Sequence, residues 1–212
     1  MTDLKNNRRE YLFSELSEDA VSPDPFEQFN TWLTKALESG VPDPTAMVLS
    51  TVSDTNRVSS RVVLLKQFSE KGFEFYTNYR SKKGEHLAKI TWASLLFFWP
   101  GMERQIRIEG TTQKLSAEES ASYFKQRPPE SRAGAWASPQ SREIPDRNTL
   151  SQRFDELLKN DTGILNTCPP DWGGYILKPV LFEFWQGRTN RLHDRIEYNL
   201  INQAWKIRRL AP

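Results

Sequence analysis

The sequence predicts an α+β fold, predominantly antiparallel β, in which helices lie outside a strand barrel. Three observations carry this reading. Between Thr45 and Gln113, five short segments rich in β-branched and aromatic residues follow one another, which is the texture of strands. The connections Ser53-Asp54-Thr55-Asn56 and Ser69-Glu70-Lys71-Gly72 are of hairpin length, too short for the crossover helices of a parallel sheet. Aromatic residues make up 12% of the chain and include seven Trp, which favours a β-rich core or flat aromatic ligands.

The elements follow in order. Residues 1–22 are polar and are expected to form a mobile arm, and 23–212 a single domain. Asp24 is a suitable N-cap and Pro25 suits a first helical turn. Phe26, Phe29, Leu33, Ala36 and Leu37 then recur at helical spacing until Gly40. Strands are expected at Ala46–Val52, Val58–Lys66, Phe73–Thr77, Trp92–Trp99 and Gln105–Gln113. Ser116-Ala117-Glu118-Glu119 is a capping box opening a helix to about Gln126, and Asp146 to Lys159 makes a more exposed helix. Further strands are expected at Gly173–Leu177, Leu181–Trp185, Arg191–Tyr198 and Ala204–Arg209.

Composition narrows the function classes. With 212 residues, 37% hydrophobic and 26% charged, the chain can bury a sizeable core, which argues against pervasive disorder. No apolar run approaches the ~18–20 residues that cross a bilayer, and the N-terminus lacks an apolar signal-like stretch, so no membrane partner is expected. The single Cys168 cannot form an internal disulfide or a C-x-x-C pair, which fits a reducing cytoplasm. A net charge of +2 gives no field that argues for nucleic acid. The common dinucleotide, P-loop, zincin and hydrolase motifs are absent, and with only His86 and His193 no catalytic metal is expected.

Four groups of residues carry chemistry. If 191–195 is extended, Arg191, His193 and Arg195 share one face beside Trp185 and Gln186, either as a ligand site or as a solvated basic edge. Tyr123 and Arg127 are four apart on the capped helix, and Pro128-Pro129 ends it so that Ser131 can turn back. Fork, phenol and hydroxyl make a phosphate cradle, and the alternative is a solvated helix end. Arg61 and Lys66 bracket a buried-looking strand, and at a spacing of five they point to opposite faces. Tyr76-Thr77 ends a strand, and Lys82-Lys83 follows near the start of a short helix, where free N–H groups and two ammonium groups can hold phosphate.

Together these segments resemble the pyridoxine/pyridoxamine 5′-phosphate oxidase family. The carrying runs are F-E-F-W-Q-G-x-x-x-R-L-H-D-R at 182–195, R-V-V-L-L-K at 61–66, F-Y-T-N at 75–78, R-Q-I-R-I-E-G at 104–110, Y-F-K-Q-R-P at 123–128, G-A-W-A-S-P-Q-S at 134–141 and R-L-A-P at 209–212. The resemblance implies an FMN-binding split β-barrel over 23–212 and a homodimer with FMN at the subunit interface. It also implies oxidation of pyridoxine 5′-phosphate and pyridoxamine 5′-phosphate to pyridoxal 5′-phosphate, with hydride transfer from C4′ to the flavin N5 and reoxidation by O2 to hydrogen peroxide. Its FMN contacts fall on Arg61, Val62, Val63, Leu64, Leu65, Lys66, Tyr76, Thr77, Lys82, Lys83, Gln105, Gln140, Ser141, Trp185 and Arg195. Its substrate contacts fall on Lys66, Tyr123, Arg127, Ser131, Arg191 and His193, with Arg8 and Tyr11 in a closing arm, and Arg191 and His193 are the catalytic pair. Lys82 stands where the family usually has Arg, which replaces a bidentate fork by a point charge and is expected to weaken cofactor retention. The competing readings are a phenazine-biosynthesis-type flavin oxidase and a carrier of flavin or pyridoxal phosphate without turnover.

Overall fold

The computed structural model of the chain describes Lys5 and residues 9–160 and 163–212. Five helices and nine strands carry the fold: α1 (Pro25–Glu38), β1 (Ala46–Val52), β2 (Val58–Leu64), β3 (Gln67–Ser69), β4 (Gly72–Asn78), α2 (Lys82–Lys89), β5 (Trp92–Trp99), β6 (Arg104–Lys114), α3 (Ala117–Gln126), α4 (Pro129–Ala137), α5 (Arg147–Lys159), β7 (Trp172–Gln186), β8 (Asp194–Ile201) and β9 (Ala204–Arg209). The strands form one sheet in the order β2-β1-β5-β6-β7-β4-β3, with β8 pairing both β7 and β9. The β3–β4, β4–β7, β7–β8 and β8–β9 pairs are antiparallel, in keeping with the expected fold class.

Two compact units make up the chain, with segments that alternate along the sequence: residues up to Val48, Ser94–Gly110 and Pro179–Pro212 in the first, Leu49–Ala93 and Thr111–Lys178 in the second. In the first unit, α1 starts where Asp24 accepts the Phe26 N–H and Pro25, which has no donor to lose, takes the first helical position. The helix buries Phe29, Trp32, Leu33 and Ala36. Phe29 meets Phe97 at 5.1 Å and Trp32 meets Phe184 at 5.3 Å, both edge to face, so Phe29, Leu33 and Ala36 of the helical spacing read from the sequence are core, joined by Trp32, while Leu37 is exposed. The described part of the arm lies on this unit: the Glu103 carboxylate accepts from Arg9 Nη2 at 3.0 Å and the Phe13 N–H at 2.8 Å, and Asp194 accepts the Leu16 N–H.

In the second unit, Phe73, Phe75, Leu87, Phe124, Tyr175 and Leu177 are buried. The capping box forms in full, with Ser116 Oγ accepting the Glu119 N–H and Glu119 accepting the Ser116 N–H. At the start of α2, Ser81 accepts from the Gly84 N–H. A Cβ on Gly84 would lie 2.2 Å from the Tyr79 carbonyl oxygen, so only glycine lets the helix sit this close to the end of β4.

Four details differ from the sequence reading. The strand expected over 58–66 ends at Leu64, and the short β3 follows. Gly173–Leu177 and Leu181–Trp185 are one strand, β7, which carries Pro179 inside it. The strand expected from Arg191 begins at Asp194, because Asn190 and Arg191 take φ of 55° and 60°, outside the extended region. The prolines at 128–129 do not only stop α3: Pro129 opens α4 at a position where a missing N–H costs nothing. No helix among the described residues is long and apolar enough to cross a membrane.

Replacing Ser116 by Ala removes one half of the capping box and should cost about 1 kcal/mol of stability. A urea midpoint unchanged within error would show that α3 is held by packing alone.

Candidate active site

One cavity of about 1060 Å³ is lined only by residues of the second unit. β2 contributes Ser59 to Leu64, the turn after it Lys66, β4 Tyr76 to Asn78, and the first turn of α2 Lys82 and Lys83. The end of α3 adds Tyr123, Gln126 and Arg127, α4 adds Ser131, Gly134 and Ala135, and the loop after it Ser138, Gln140 and Ser141. Five cations, Arg61, Lys66, Lys82, Lys83 and Arg127, therefore face one space, and among the described residues its lining contains no carboxylate. Like charges gathered this way repel unless an anion or a set of neutral acceptors compensates them.

Neutral acceptors do part of this. Lys83 is buried and its Nζ donates to Thr77 Oγ1, Ser81 Oγ and Gln140 Oε1, each at 3.1 Å. Burial, reinforced by the neighbouring Arg61 charge, brings its pKa down to about 8. Arg61 Nη1 donates to the Leu49 carbonyl and Thr51 Oγ1, and Nη2 to Ser59 Oγ. Burial also pulls the Arg127 pKa down, although nearby Tyr123 and Cys168 oppose this, and a guanidinium stays charged at any ordinary pH. Its Nη1 is buried and, among the described residues, has no hydrogen-bond partner. An aromatic platform lies beside it. Tyr76 and Tyr123 stack at 4.0 Å, Tyr76 and Trp172 at 5.5 Å, and the Arg127 guanidinium sits 4.7 Å from the Trp172 ring centre.

The cavity thus gathers Arg61, Val62, Val63, Leu64, Lys66, Tyr76, Thr77, Lys82, Lys83, Tyr123, Arg127, Ser131, Gln140 and Ser141 from the sequence reading. Leu65 is buried and does not line it. The opposed faces expected for Arg61 and Lys66 do not occur. The regular strand ends at Leu64, so the alternation stops before Lys66 and both cations line the same cavity. Sequence reasoning missed Trp172, Gln126 and the small residues Gly134 and Ala135. The last two follow from α4, whose only sequence signal was a proline at its first position.

The remaining predicted residues lie on the first unit. Arg8 falls outside the described residues. Tyr11 meets Trp185 at 5.7 Å and His193 at 5.6 Å, edge to face, and Trp185 and His193 are 4.6 Å apart. A Cβ on Gly187 would fall 2.7 Å from the Tyr11 ring, so the bare glycine backbone is what admits Tyr11. Arg191, His193 and Arg195 are not a strand face, since Arg191 sits in a turn at positive φ and His193 precedes β8.

His193 Nδ1 accepts the Arg188 N–H at 3.1 Å, which leaves the ring proton of the neutral form on Nε2. Burial first, then the Arg191 charge, lowers its pKa against a smaller opposing effect of Asp194. Arg195 forks onto the buried Glu183, with Nε to Oε1 at 2.9 Å and Nη2 to Oε2 at 3.1 Å. Burial alone would raise the Glu183 pKa, but hydrogen bonds from Arg195 and Arg107 outweigh it and hold the carboxyl below its usual range. Gln105 is half-buried on β6.

Residues 33–161 match the family described as pyridoxamine 5′-phosphate oxidase, and residues 172–212 match the pyridoxine 5′-phosphate oxidase C-terminal dimerisation region. The chain belongs to the pyridoxine/pyridoxamine 5′-phosphate oxidase family. It is 49% identical over 213 residues to the pyridoxine/pyridoxamine 5′-phosphate oxidase of Cupriavidus taiwanensis, covering 100% of both chains. With the oxidase of the same name from a Cyanothece species it shares 47% over 209 residues, 99% of this chain and 98% of the relative. Among solved structures it resembles PhzG of Burkholderia lata, crystallised with tetrahydrophenazine-1-carboxylic acid, at 33% identity and a TM-score of 0.88 over 93% of this chain and 98% of that one. A pyridoxamine 5′-phosphate oxidase-related, FMN-binding protein from Nostoc punctiforme shares the fold, at 18% identity and a TM-score of 0.72 over 91% of this chain and 100% of that one.

Because Lys83 loses its proton near pH 8 when no anion faces it, a phosphomonoester bound there must restore that proton above this pH. Affinity should be level between about pH 7 and 8 and then fall by up to roughly tenfold per unit, as isothermal titration across pH 6.5–9.5 would register. In Lys83→Met the fall above pH 8 should vanish. An equal fall in both proteins would place the titrating group elsewhere.

Proposed function

We propose that this chain binds FMN and oxidises pyridoxine 5′-phosphate and pyridoxamine 5′-phosphate to pyridoxal 5′-phosphate. The observation that carries the reading is the carboxylate-free cavity with its five cations, since cofactor and substrate each bring one phosphate. The residues present fit FMN. The cavity is roomy enough for a flavin, aromatic rings offer it a flat surface, and the amine of Lys83 and its neutral partners stand ready for an anion. Arg61 to Lys66, Tyr76, Thr77, Lys82, Lys83, Gln140 and Ser141 would hold it, together with Gln105, Trp185 and Arg195 of the first unit. FMN, when bound, supplies the hydride acceptor for C4′ and passes the electrons on to O2, giving hydrogen peroxide.

The chain's own residues bind, orient and polarise. Lys66, Tyr123, Arg127 and Ser131 grip the substrate phosphate, and the unpartnered Arg127 Nη1 gains its acceptor there. This grip fixes the pyridine ring and brings C4′ into range of reaction. His193, neutral and carrying its proton on Nε2, donates a hydrogen bond to the C4′ substituent or its neighbouring oxygen. In that tautomer Nε2 has no lone pair with which to take a proton. Arg191 lies beside it on the same turn and adds positive charge.

The family's dimerisation region at 172–212 supports a homodimer. We place FMN at the interface of two copies, where the first-unit residues Gln105, Trp185 and Arg195 reach it. A phenazine-type substrate is the weaker reading, because one carboxylate on a tricyclic ring would leave most of the cavity's cations without an anion.

An oxygen-electrode assay with added FMN should show peroxide release and pyridoxal 5′-phosphate formation from both phosphorylated vitamers, and none from unphosphorylated pyridoxine. Absence of turnover with both vitamers at saturating FMN would refute the assignment. Arg127→Ala should raise KM for the phosphorylated substrate by roughly 10- to 150-fold, the range set by about 1.5–3 kcal/mol for a charge-assisted hydrogen bond, with a much smaller effect on FMN affinity.

A further inference from the structure

Arg61 points into the cavity from β2, yet among the described residues no carboxylate pairs with it. Three neutral acceptors seat its guanidinium instead: the Leu49 carbonyl at 3.0 Å, Thr51 Oγ1 at 2.8 Å and Ser59 Oγ at 2.9 Å. Of the two hydroxyls, the Thr51 side chain is fully enclosed, with 0% of its surface exposed, as is Leu49. Its hydroxyl accepts from Arg61 and has one proton of its own to place. Two acceptors are within reach, His86 Nδ1 at 3.1 Å and the Ser59 carbonyl at 3.4 Å. The His86 bond is the shorter, and the ring is buried on α2, the helix whose first turn carries Lys82 and Lys83. A continuous run of hydrogen bonds, His86 to Thr51 to Arg61, therefore joins the two elements that bring cations to the cavity. A buried threonine and a buried histidine are costly to keep unless their polar atoms are satisfied, and here they satisfy each other and the arginine.

We propose that Thr51, backed by His86, is a positioning residue that holds Arg61 in the orientation that receives the phosphorylated cofactor. The assignment rests on the FMN reading above. Without the Thr51 oxygen the guanidinium keeps two acceptors on one side and is free to swing about them. Its hydrogen bond to an incoming anion is then no longer set in advance, and affinity falls because the ordering must occur on binding.

The test uses the full-length protein stripped of flavin and retitrated with FMN by fluorescence quenching. Thr51→Val, which keeps the shape and removes the acceptor, should weaken FMN binding by about 10- to 100-fold, and Thr51→Ser, which restores the oxygen, should stay within about threefold of the parent. At saturating FMN, KM for pyridoxine 5′-phosphate in Thr51→Val should match the parent. In an Arg61→Ala background the same change should have no further effect on FMN affinity, since it acts through that arginine. His86→Phe, expected to cost several-fold, serves the same purpose if Thr51→Val does not fold. Equal FMN affinity in parent and Thr51→Val, or an undiminished loss in the Arg61→Ala background, overturns the positioning role while leaving the FMN reading intact. A parent protein that binds no FMN overturns both.

Discussion

The organising constraint in this molecule is charge. Five cations are brought to a single cavity whose lining, among the described residues, holds no carboxylate, and the fold keeps them there by local means. Lys83 is surrounded by hydroxyl and amide oxygens, Arg61 by a carbonyl and two hydroxyls, and Arg127 is laid over the Trp172 ring. Each of these partners stabilises a cation without neutralising it, so the cavity keeps its positive field. A carboxylate in any of these places would neutralise a cation and leave less positive field for an anion.

The first unit handles its charge in the opposite way. There, Glu183 is buried between Arg195 and Arg107, and Glu103 takes both Arg9 and a backbone donor of the arm. Paired ions of this sort fix direction and give away little net charge, which suits residues that must point rather than attract. The two units therefore treat charge differently: one lines a cavity with cations seated on neutral acceptors, and the other pairs buried carboxylates with arginines.

Much of this was legible in the sequence, for identifiable reasons. Helix boundaries at Asp24 and Ser116 were readable because capping depends on side chains within three residues of the end, and both caps form. Strand positions were readable from alternation and hairpin-length links. What failed was anything that depended on backbone sign or on where regularity stops. Asn190 is a residue type that tolerates positive φ, but Arg191 is not, and a period-two pattern registers neither, so the basic row at 191–195 was misplaced on a strand. Beyond Leu64 the chain leaves β2, and Lys66 donates its backbone N–H to Glu74 across the hairpin to β4, a change of partner that alternation alone does not show, so the facing expected for Lys66 was wrong. The proline pair at 128–129 encodes a stop and a start together, and only the stop was read. Grouping the cavity's residues needed the family resemblance as well, because Arg61, Lys83, Tyr123 and Gln140 are far apart in the chain.

Gly187 has a bearing on how such chains diverge. Because the Tyr11 ring occupies the space a side chain would need there, the two positions constrain each other across some 176 residues of sequence. A lineage that acquires a larger residue at 187 must also shorten or redirect its amino-terminal segment, and one that loses the tyrosine frees 187 to vary. Arm length and loop composition in relatives should therefore drift as a linked pair, and a graft that moves one without the other would carry a steric fault that neither parent shows.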